Sequence, residues 1–199
     1  TSAAAALKLL ILTGQRRGEL LKAKWQHIDL EEGRWTLPAI TTKSHREHTV
    51  YLSSAAVNLL RDQRAITSNC EYVFKSQRAN GQPIGDASLT TAIARLQGRK
   101  LAKQNMKAPL ADMPRFGVHD LRRSFATGLL KHFDTAPHVV EQMLNHAPTD
   151  RLIETYQRHN YAREQSEAWQ AWGRLVIGNV AKNNVVHMKK TNYCAIQHE

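Results

Sequence analysis

The stretch between Phe116 and His159 constrains this chain most, because it combines helical patterns with an unusual set of polar side chains. His119 and Arg122 stand three residues apart, a spacing that places both side chains on one face of a helix. His146 and Tyr156 follow on later segments. Arginine grips phosphate oxygens through two parallel hydrogen bonds, histidine exchanges a proton near neutral pH, and a tyrosine hydroxyl can act as a nucleophile. This set favours a phosphate group as the target.

The overall charge of the chain favours a polyanionic partner. Its 199 residues include 28 Lys and Arg against 17 Asp and Glu, which gives a formal net charge of +11. Such an excess of positive charge favours nucleic acid as the partner, and an anionic membrane surface after it. The alternative is a basic globular protein whose charge has no partner. No apolar run approaches the roughly 18 residues that a membrane span needs. Cys70 and Cys194 lie far apart, which indicates no disulfide framework and a reducing, cytoplasmic setting.

Hydrophobic periodicity predicts a mixed α+β fold, mainly α-helical, with a small three-stranded antiparallel sheet between Ile28 and Leu52. The opening helix should end at the turn Thr13-Gly14, because glycine is the usual C-terminal stop. The remaining helices are expected at residues 16–24, 54–64, 87–103, 120–131, 137–145, around Tyr156, and 161–176. The expected N-caps are the pair Ser53-Ser54 and Asp86. The expected buried face of helix 120–131 consists of Leu121, Phe125, Leu129 and Leu130.

The sequences of the two chain ends indicate how the protein is divided into domains. The helix-forming opening T-S-A-A-A-A-L-K-L-L-I-L begins abruptly, which suggests a piece of a longer protein. Trp169, Trp172 and Val176 form a narrow apolar stripe that could pack on its own domain or on a neighbouring molecule, and both possibilities stay open. Beyond Gly178 the sequence is polar. We therefore expect one domain over residues 1–177 and a polar, irregular C-terminal tail over residues 178–199.

Taken singly, each of the polar residues has a more ordinary explanation. Arg16 three residues before Glu19 is usually a surface helix pair. The histidine after M-L-N is more often a structural imidazole than a catalytic one, and a tyrosine in E-T-Y-Q-R is more often half-buried core. Lys43 in T-T-K-S reads as a solvated turn residue at the tip of a hairpin. The functional interpretation depends on their order and spacing together.

In that order the motifs T-G-Q-R-R-G-E-L, T-T-K-S, H-D-L-R-R-S-F-A-T, L-N-H and E-T-Y-Q-R resemble the catalytic domain of tyrosine recombinases. Within that family the resemblance is greatest to integrases of phages and genomic islands, and it covers roughly residues 1–175. One departure is the L-N-H motif, where the family usually has L-G-H. Asparagine tolerates the left-handed backbone that glycine adopts, so the resemblance extends to His146 despite this change.

The resemblance implies a role for each matching residue. Tyr156 would be the nucleophile that forms a 3′-phosphotyrosyl bond, and Lys43 would be the general acid that protonates the leaving 5′-oxygen. His119 would take part in proton transfer, and His146 would donate a hydrogen bond to the phosphate. Arg16 and Arg122 would bind the non-bridging phosphate oxygens, and Glu19 would support Arg16.

Three assignments have a competing neighbour in the sequence. Arg17 is adjacent to Arg16, although the family motif aligns Arg16. Tyr161 lies five residues after Tyr156 and is the alternative nucleophile. Arg46 is close to Lys43, whose position depends on the length of the hairpin tip.

The resemblance also implies an activity and partners. It implies a site-specific recombinase that integrates or excises a mobile element by cleaving and rejoining double-stranded DNA, without cofactor or metal, in the cytoplasm of a bacterium. The full-length protein would act as a homotetramer on paired sites, with DNA-binding domains upstream of this chain, and the chain alone would be a monomer. Alternatives are an accessory DNA-binding module, a type IB topoisomerase, and a histidine metallohydrolase; no H-E-x-x-H motif supports the last.

Overall fold

The computed structural model describes residues 1–76, 81–99, 108–146 and 161–193, with side chains described as far as residue 181. These residues form a mainly helical domain with a three-stranded antiparallel sheet in the order β1-β2-β3. The strands are β1 (Ile28–Asp29), β2 (Arg34–Leu37) and β3 (His48–Tyr51). The α-helices are α1 (Ser2–Thr13), α2 (Arg17–Leu21), α3 (Ser54–Thr67), α4 (Ala87–Leu96), α5 (Val118–Phe133), α6 (Pro137–Met143) and α7 (Ala162–Tyr193). No described helix is long and apolar enough to cross a membrane.

Helix α1 lies at the centre of the domain and packs against α3, α4, α5 and α7. Its N-cap is Thr1, and it ends at Gly14, whose backbone is left-handed with φ 68°. A Cβ at Gly14 would overlap the Phe125 ring of α5, so glycine is required both for the backbone conformation and for the close approach of the two helices. The predicted stop of the first helix is therefore confirmed.

The sheet follows from strict alternation along β2 and β3. Trp35 and Leu37 on β2 and His48 and Val50 on β3 are buried, whereas their neighbours along each strand are more exposed. Trp35 pairs with Val50 in the antiparallel register. Because side chains on a strand alternate between its two faces, one face covers the core. The predicted three-stranded antiparallel sheet is confirmed.

The C-terminal helix packs on the same domain through its two tryptophans. Trp169 Nε1 donates to the Thr13 carbonyl at 3.1 Å, and Trp172 Nε1 donates to the Ile11 carbonyl at 2.8 Å. Phe125 lies edge-on to Trp172 with ring centroids 5.6 Å apart. The apolar stripe of α7 therefore docks in cis on α1 and α5.

Several predicted boundaries are wrong, each for a local reason. The second helix ends at Leu21, because the next residues pair with another segment: Trp25 N–H donates to the Glu71 carbonyl, and Val73 N–H donates to the Ala23 carbonyl. Helix α4 ends at Leu96 rather than near residue 103, ahead of a left-handed Gly98 with φ 75°.

Three further differences concern caps, burial and the C-terminal end. Asp86 precedes α4 but makes no side-chain capping bond. Leu130 is 43% exposed and faces outward, because the inward face of α5 is completed by Gly128 and Leu129. Helix α7 continues to Tyr193, so the irregular structure predicted beyond Gly178 is wrong for that range.

Candidate active site

The carbonyl end of helix α6 is the place where several of the candidate residues meet. A helix leaves its last carbonyls without intrahelical donors and carries a partial negative charge at that end. Each of four consecutive carbonyls, those of Met143 at the end of α6 and of residues 144–146 in the turn that follows, accepts from a side chain of another segment. The Met143 carbonyl accepts from Gln15 Nε2 at 3.0 Å and from His48 Nε2 at 3.1 Å. The other three carbonyls accept from arginines.

Arg122 is the most buried of these arginines, at 5% exposure. Its Nη1 donates to the Gly14 carbonyl at 2.8 Å, and its Nη2 donates to the Leu144 carbonyl. Burial, followed by the nearby charge of Arg16, lowers the pKa of Arg122 to about 10. The guanidinium is therefore still positive at neutral pH, and two main-chain carbonyls fix its plane between the end of α1 and the end of α6.

Arg16 stands at the N-cap of α2 and reaches the same carbonyl end. Its Nη2 donates to the Asn145 carbonyl at 3.2 Å, while its Nη1 donates to Glu19 Oε1 at 3.2 Å. The Glu19 side chain is only 4% exposed, and the same Oε1 accepts the backbone N–H of Lys43 at 3.1 Å. A single buried carboxylate oxygen therefore holds both the first arginine and the backbone of the lysine.

The connection between β2 and β3, which carries Lys43, is attached to the protein at several points. Within it, Thr42 Oγ1 donates to the Arg46 carbonyl at 2.8 Å. Across to the end of α6, Ser44 Oγ donates to Asn145 Oδ1 at 2.9 Å, and Arg46 Nη2 donates to the His146 carbonyl at 3.3 Å. The Lys43 side chain itself is exposed. The predicted hairpin tip is therefore bound to the arginine cluster through its backbone and leaves its lysine accessible.

The two candidate histidines are both exposed. His146, whose carbonyl is the last of the four acceptors, has a side chain that is 39% exposed, with its Nδ1 bonded to Glu141 Oε2. A carboxylate accepts only, so Nδ1 carries a proton and Nε2 remains for another partner. His119 lies in the first turn of α5, three residues before Arg122, and is exposed. Tyr156, the predicted nucleophile, lies outside the described residues.

Of the three neighbours named as alternatives, Arg46 joins the cluster through the His146 carbonyl, whereas Arg17 and Tyr161 contact other segments. Arg17 turns toward α4, where its Nη1 donates to Thr90 Oγ1 at 3.5 Å and its Nη2 lies 4.0 Å from Asp86 Oδ2. Tyr161 stands just before α7 with a φ of 45°, and its ring centroid is 4.8 Å from that of His138. Arg16, rather than Arg17, therefore contributes its charge beside Arg122.

Three contributors to the cluster were not predicted as site residues: Gln15, Ser44 and His48. The sequence signal for His48 was its position two residues before Val50 on a strand whose alternate residues are buried. Gln15 and Ser44 carried no such signal, because their partners, Met143 and Asn145, lie 128 and 101 residues away in the chain. Burial lowers the pKa of His48 to about 4, and the charges of Arg122 and Arg16 act in the same direction.

The depressed pKa of His48 predicts a pH dependence of stability. Folding favours the neutral ring, so its contribution is complete above the ordinary histidine value of about 6.5 and is lost as the pH falls toward about 4. We expect this ring to remove about 2 kcal/mol of unfolding free energy between about pH 7.5 and about pH 5. Urea denaturation of the wild type and of His48→Gln, whose amide can still donate to Met143, measures this difference. An identical pH dependence in both proteins would contradict the assignment.

The chemistry open to this cluster is the binding of an anion with developing negative charge. Two guanidiniums are anchored by carbonyls, and each has N–H groups beyond those already engaged. Among the described residues, no group of three His, Cys, Asp or Glu side chains is arranged to hold a metal ion. Cations that are already held in place stabilise the negative charge of a phosphoryl-transfer transition state, because they need no reorganisation during the reaction.

Sequence comparison places the chain among integrases. The model of the phage integrase family matches residues 1–163. Prophage integrase IntZ of Escherichia coli K12 is 29% identical over 178 residues, which cover 89% of this chain and 40% of the relative. Prophage integrase IntA of the same strain is 27% identical over 167 residues, which cover 83% of this chain and 37% of the relative. The chain thus spans about two fifths of the length of these relatives.

Comparison of folds gives the same result at lower identity. The integrase of mycobacterium phage Brujita superposes with a TM-score of 0.61 at 18% identity, over 85% of this chain and 50% of that one. The XerA recombinase gives a TM-score of 0.57 at 18% identity, over 85% and 56%. A λ integrase tetramer bound to a Holliday junction gives 0.54 at 19% identity, over 75% and 42%. The chain belongs to the phage integrase family and has the fold of a tyrosine recombinase catalytic domain.

Proposed function

We propose that this chain is the catalytic domain of a site-specific DNA recombinase that integrates or excises a mobile element. The observation that carries the proposal is the pair Arg16 and Arg122, held side by side by consecutive carbonyls at the end of α6. The names of the relatives support it, as do the solved λ integrase bound to a Holliday junction and the XerH recombinase bound to its difH substrate. The net charge of +11 suits a DNA partner.

In the proposed reaction, the Tyr156 oxygen attacks the scissile phosphorus and displaces the 5′-oxygen of the next nucleotide. One P–O bond forms as another breaks, so the 3′-phosphotyrosyl ester conserves the bond energy and the strand can be resealed without a nucleotide cofactor. A free phenol has a pKa near 10, so attack at neutral pH requires a proton acceptor or a strong positive field. The two arginines supply that field, and His119 takes part in the proton transfer.

The other side chains of the site bind the phosphate and protonate the leaving group in the proposed reaction. Arg16 and Arg122 bind the non-bridging oxygens, whose negative charge increases in the transition state. Lys43 gives its proton to the departing 5′-oxygen, and His146, as the doubly protonated ring with its Nδ1 on Glu141, donates a hydrogen bond from Nε2 to the phosphate. The fixed backbone of Lys43, bonded to Glu19, supports this role because it limits where the flexible side chain can start.

The proposal extends to partners and setting. The substrate is double-stranded DNA containing an attachment site, and the whole protein acts as a homotetramer on two paired sites in the bacterial cytoplasm, where the DNA is. The λ integrase tetramer on a Holliday junction supports the assembly by analogy. Further DNA-binding domains of the whole protein would add sequence specificity to the phosphate contacts of this domain.

A covalent-capture experiment tests the proposed function. The chain is incubated in low salt with EDTA and nicked duplexes of randomised sequence, in which the fragment beyond the nick diffuses away after cleavage. We expect an SDS-resistant, protease-sensitive protein–DNA species, because the ester traps the strand and no metal is needed. Sequencing of the captured DNA then reports the preferred cleavage site. Cleavage that requires a divalent cation and leaves no protein on the DNA would contradict the proposal.

A further inference from the structure

Asn145 combines an unusual backbone with a buried side chain. Its φ is 49°, a left-handed conformation that glycine adopts at lower cost than any residue with a Cβ. The side chain is buried, and its Oδ1 accepts from Ser44 Oγ at 2.9 Å. The backbone alone would be satisfied by glycine, so what asparagine adds at this position is the amide and its bond to Ser44.

The two ends of that bond adjoin the two accessible groups of the proposed active site. Ser44 directly follows Lys43, and Asn145 directly precedes His146. The Asn145 carbonyl also accepts from Arg16, and the Lys43 N–H donates to Glu19, the partner of Arg16. A closed circuit of hydrogen bonds therefore joins the lysine connection, the first arginine and the histidine segment.

Stability gives a weak explanation for this asparagine. Its Nδ2 is buried and has no hydrogen-bond partner among the residues that the structure describes. A buried donor without a partner lowers stability, which offsets the gain from the single bond to Ser44. A side chain that contributes little net stability, at a backbone position suited to glycine, suggests a role in placing its neighbours.

We propose that Ser44 and Asn145 are a positioning pair that holds the Lys43 connection in register with the His146 segment, so that both side chains approach the same scissile phosphate. The inference rests on the proposed function of the site. Neither residue touches the phosphate in this proposal; each acts through its neighbour. Misplacement of a catalytic group by about 1 Å is enough to reduce a rate by up to about a hundredfold.

Four variants test the pair. Asn145→Gly keeps the left-handed backbone and removes the amide, whereas Ser44→Ala removes only the hydroxyl and leaves residue 145 untouched. The double variant completes a cycle. Ser44→Thr retains a hydroxyl and is the conservative rescue. Ser68→Ala, at an exposed serine after α3, is the matched control for loss of a hydroxyl far from the site.

The expected result is a loss of rate without loss of DNA binding. With saturating protein, each single variant should form the covalent DNA adduct about tenfold more slowly than the wild type, and the double variant about as slowly as either. The dissociation constant for DNA should stay within about twofold, and Ser44→Thr should recover most of the rate. Losses that multiply in the double variant, or wild-type rates in both single variants, would overturn the proposal.

Hydrogen exchange separates this inference from the proposed function. If the pair holds the connection, the amide of Lys43 and its neighbours should exchange faster in both Asn145→Gly and Ser44→Ala than in the wild type and in Ser68→Ala. Unchanged exchange would overturn the positioning role. This measurement needs no DNA, so a wild-type chain that forms no adduct would count against the proposed function while the exchange rates still decide the inference.

Discussion

Tyr156→Phe should abolish the covalent protein–DNA adduct while leaving DNA binding within about twofold of the wild type. The substitution removes a single oxygen, so the aromatic ring remains but no phosphotyrosyl ester can form. The substitution leaves Arg16 and Arg122 in place, and by the proposed function both should still bind phosphate. Adduct formation is measured by SDS gel on the nicked duplexes, and binding by fluorescence anisotropy on the same DNA.

Tyr161→Phe is the matched control for that experiment. Its ring lies beside His138, ahead of α7, and we expect the variant to form the adduct at close to the wild-type rate. Retention of the adduct in Tyr156→Phe together with its loss in Tyr161→Phe would transfer the nucleophilic role to Tyr161. Loss in both variants would indicate that one of the substitutions disturbs the site indirectly, which the binding measurement would detect.

Local chemistry explains which parts of the fold were predictable. The end of α1 was signalled by a glycine that must adopt a left-handed backbone, and the sheet by alternation that continues over two strands. The end of α2 was missed because the deciding hydrogen bonds come from Glu71 and Val73, about 50 residues further on. The outward orientation of Leu130 likewise depends on which side of α5 meets α1 and α7.

The candidate site divides in the same way. The resemblance of the motifs to those of tyrosine recombinases predicted Arg16, Glu19 and Arg122 as site residues, and the structure brings these three side chains close together. Their anchoring could not be predicted, since the bond from Arg122 to the Gly14 carbonyl spans 108 residues and that from Arg16 to the Asn145 carbonyl spans 129. Only tertiary packing brings these distant arginines to the carbonyls at the end of α6, which accept hydrogen bonds from both. Tyr156 stays a prediction from sequence.

Arg122→Lys should have the second largest effect, because it alters the most buried cation of the site. A lysine keeps the positive charge but presents one compact ammonium in place of a planar fork with five donors. It cannot bond the Gly14 and Leu144 carbonyls together and still offer two donors to a phosphate. We expect adduct formation to slow by about 10²- to 10³-fold, the usual cost of removing one preorganised donor from a transition state.

The same substitution should also reduce stability, and the two effects can be separated. A buried carbonyl left without a donor costs about 1–3 kcal/mol, which urea denaturation measures. Arg123→Ala is the matched control, because the Arg123 side chain is 71% exposed and bonds only Asp120 among the described residues. The unfolding free energy of this variant should differ from that of the wild type by less than about 0.5 kcal/mol. Rates are compared at a temperature where every variant is folded. If Arg122→Lys then forms adduct within tenfold of the wild type, Arg122 is a structural anchor of α1 and α6, and Arg16 would have to provide the main contact to the phosphate.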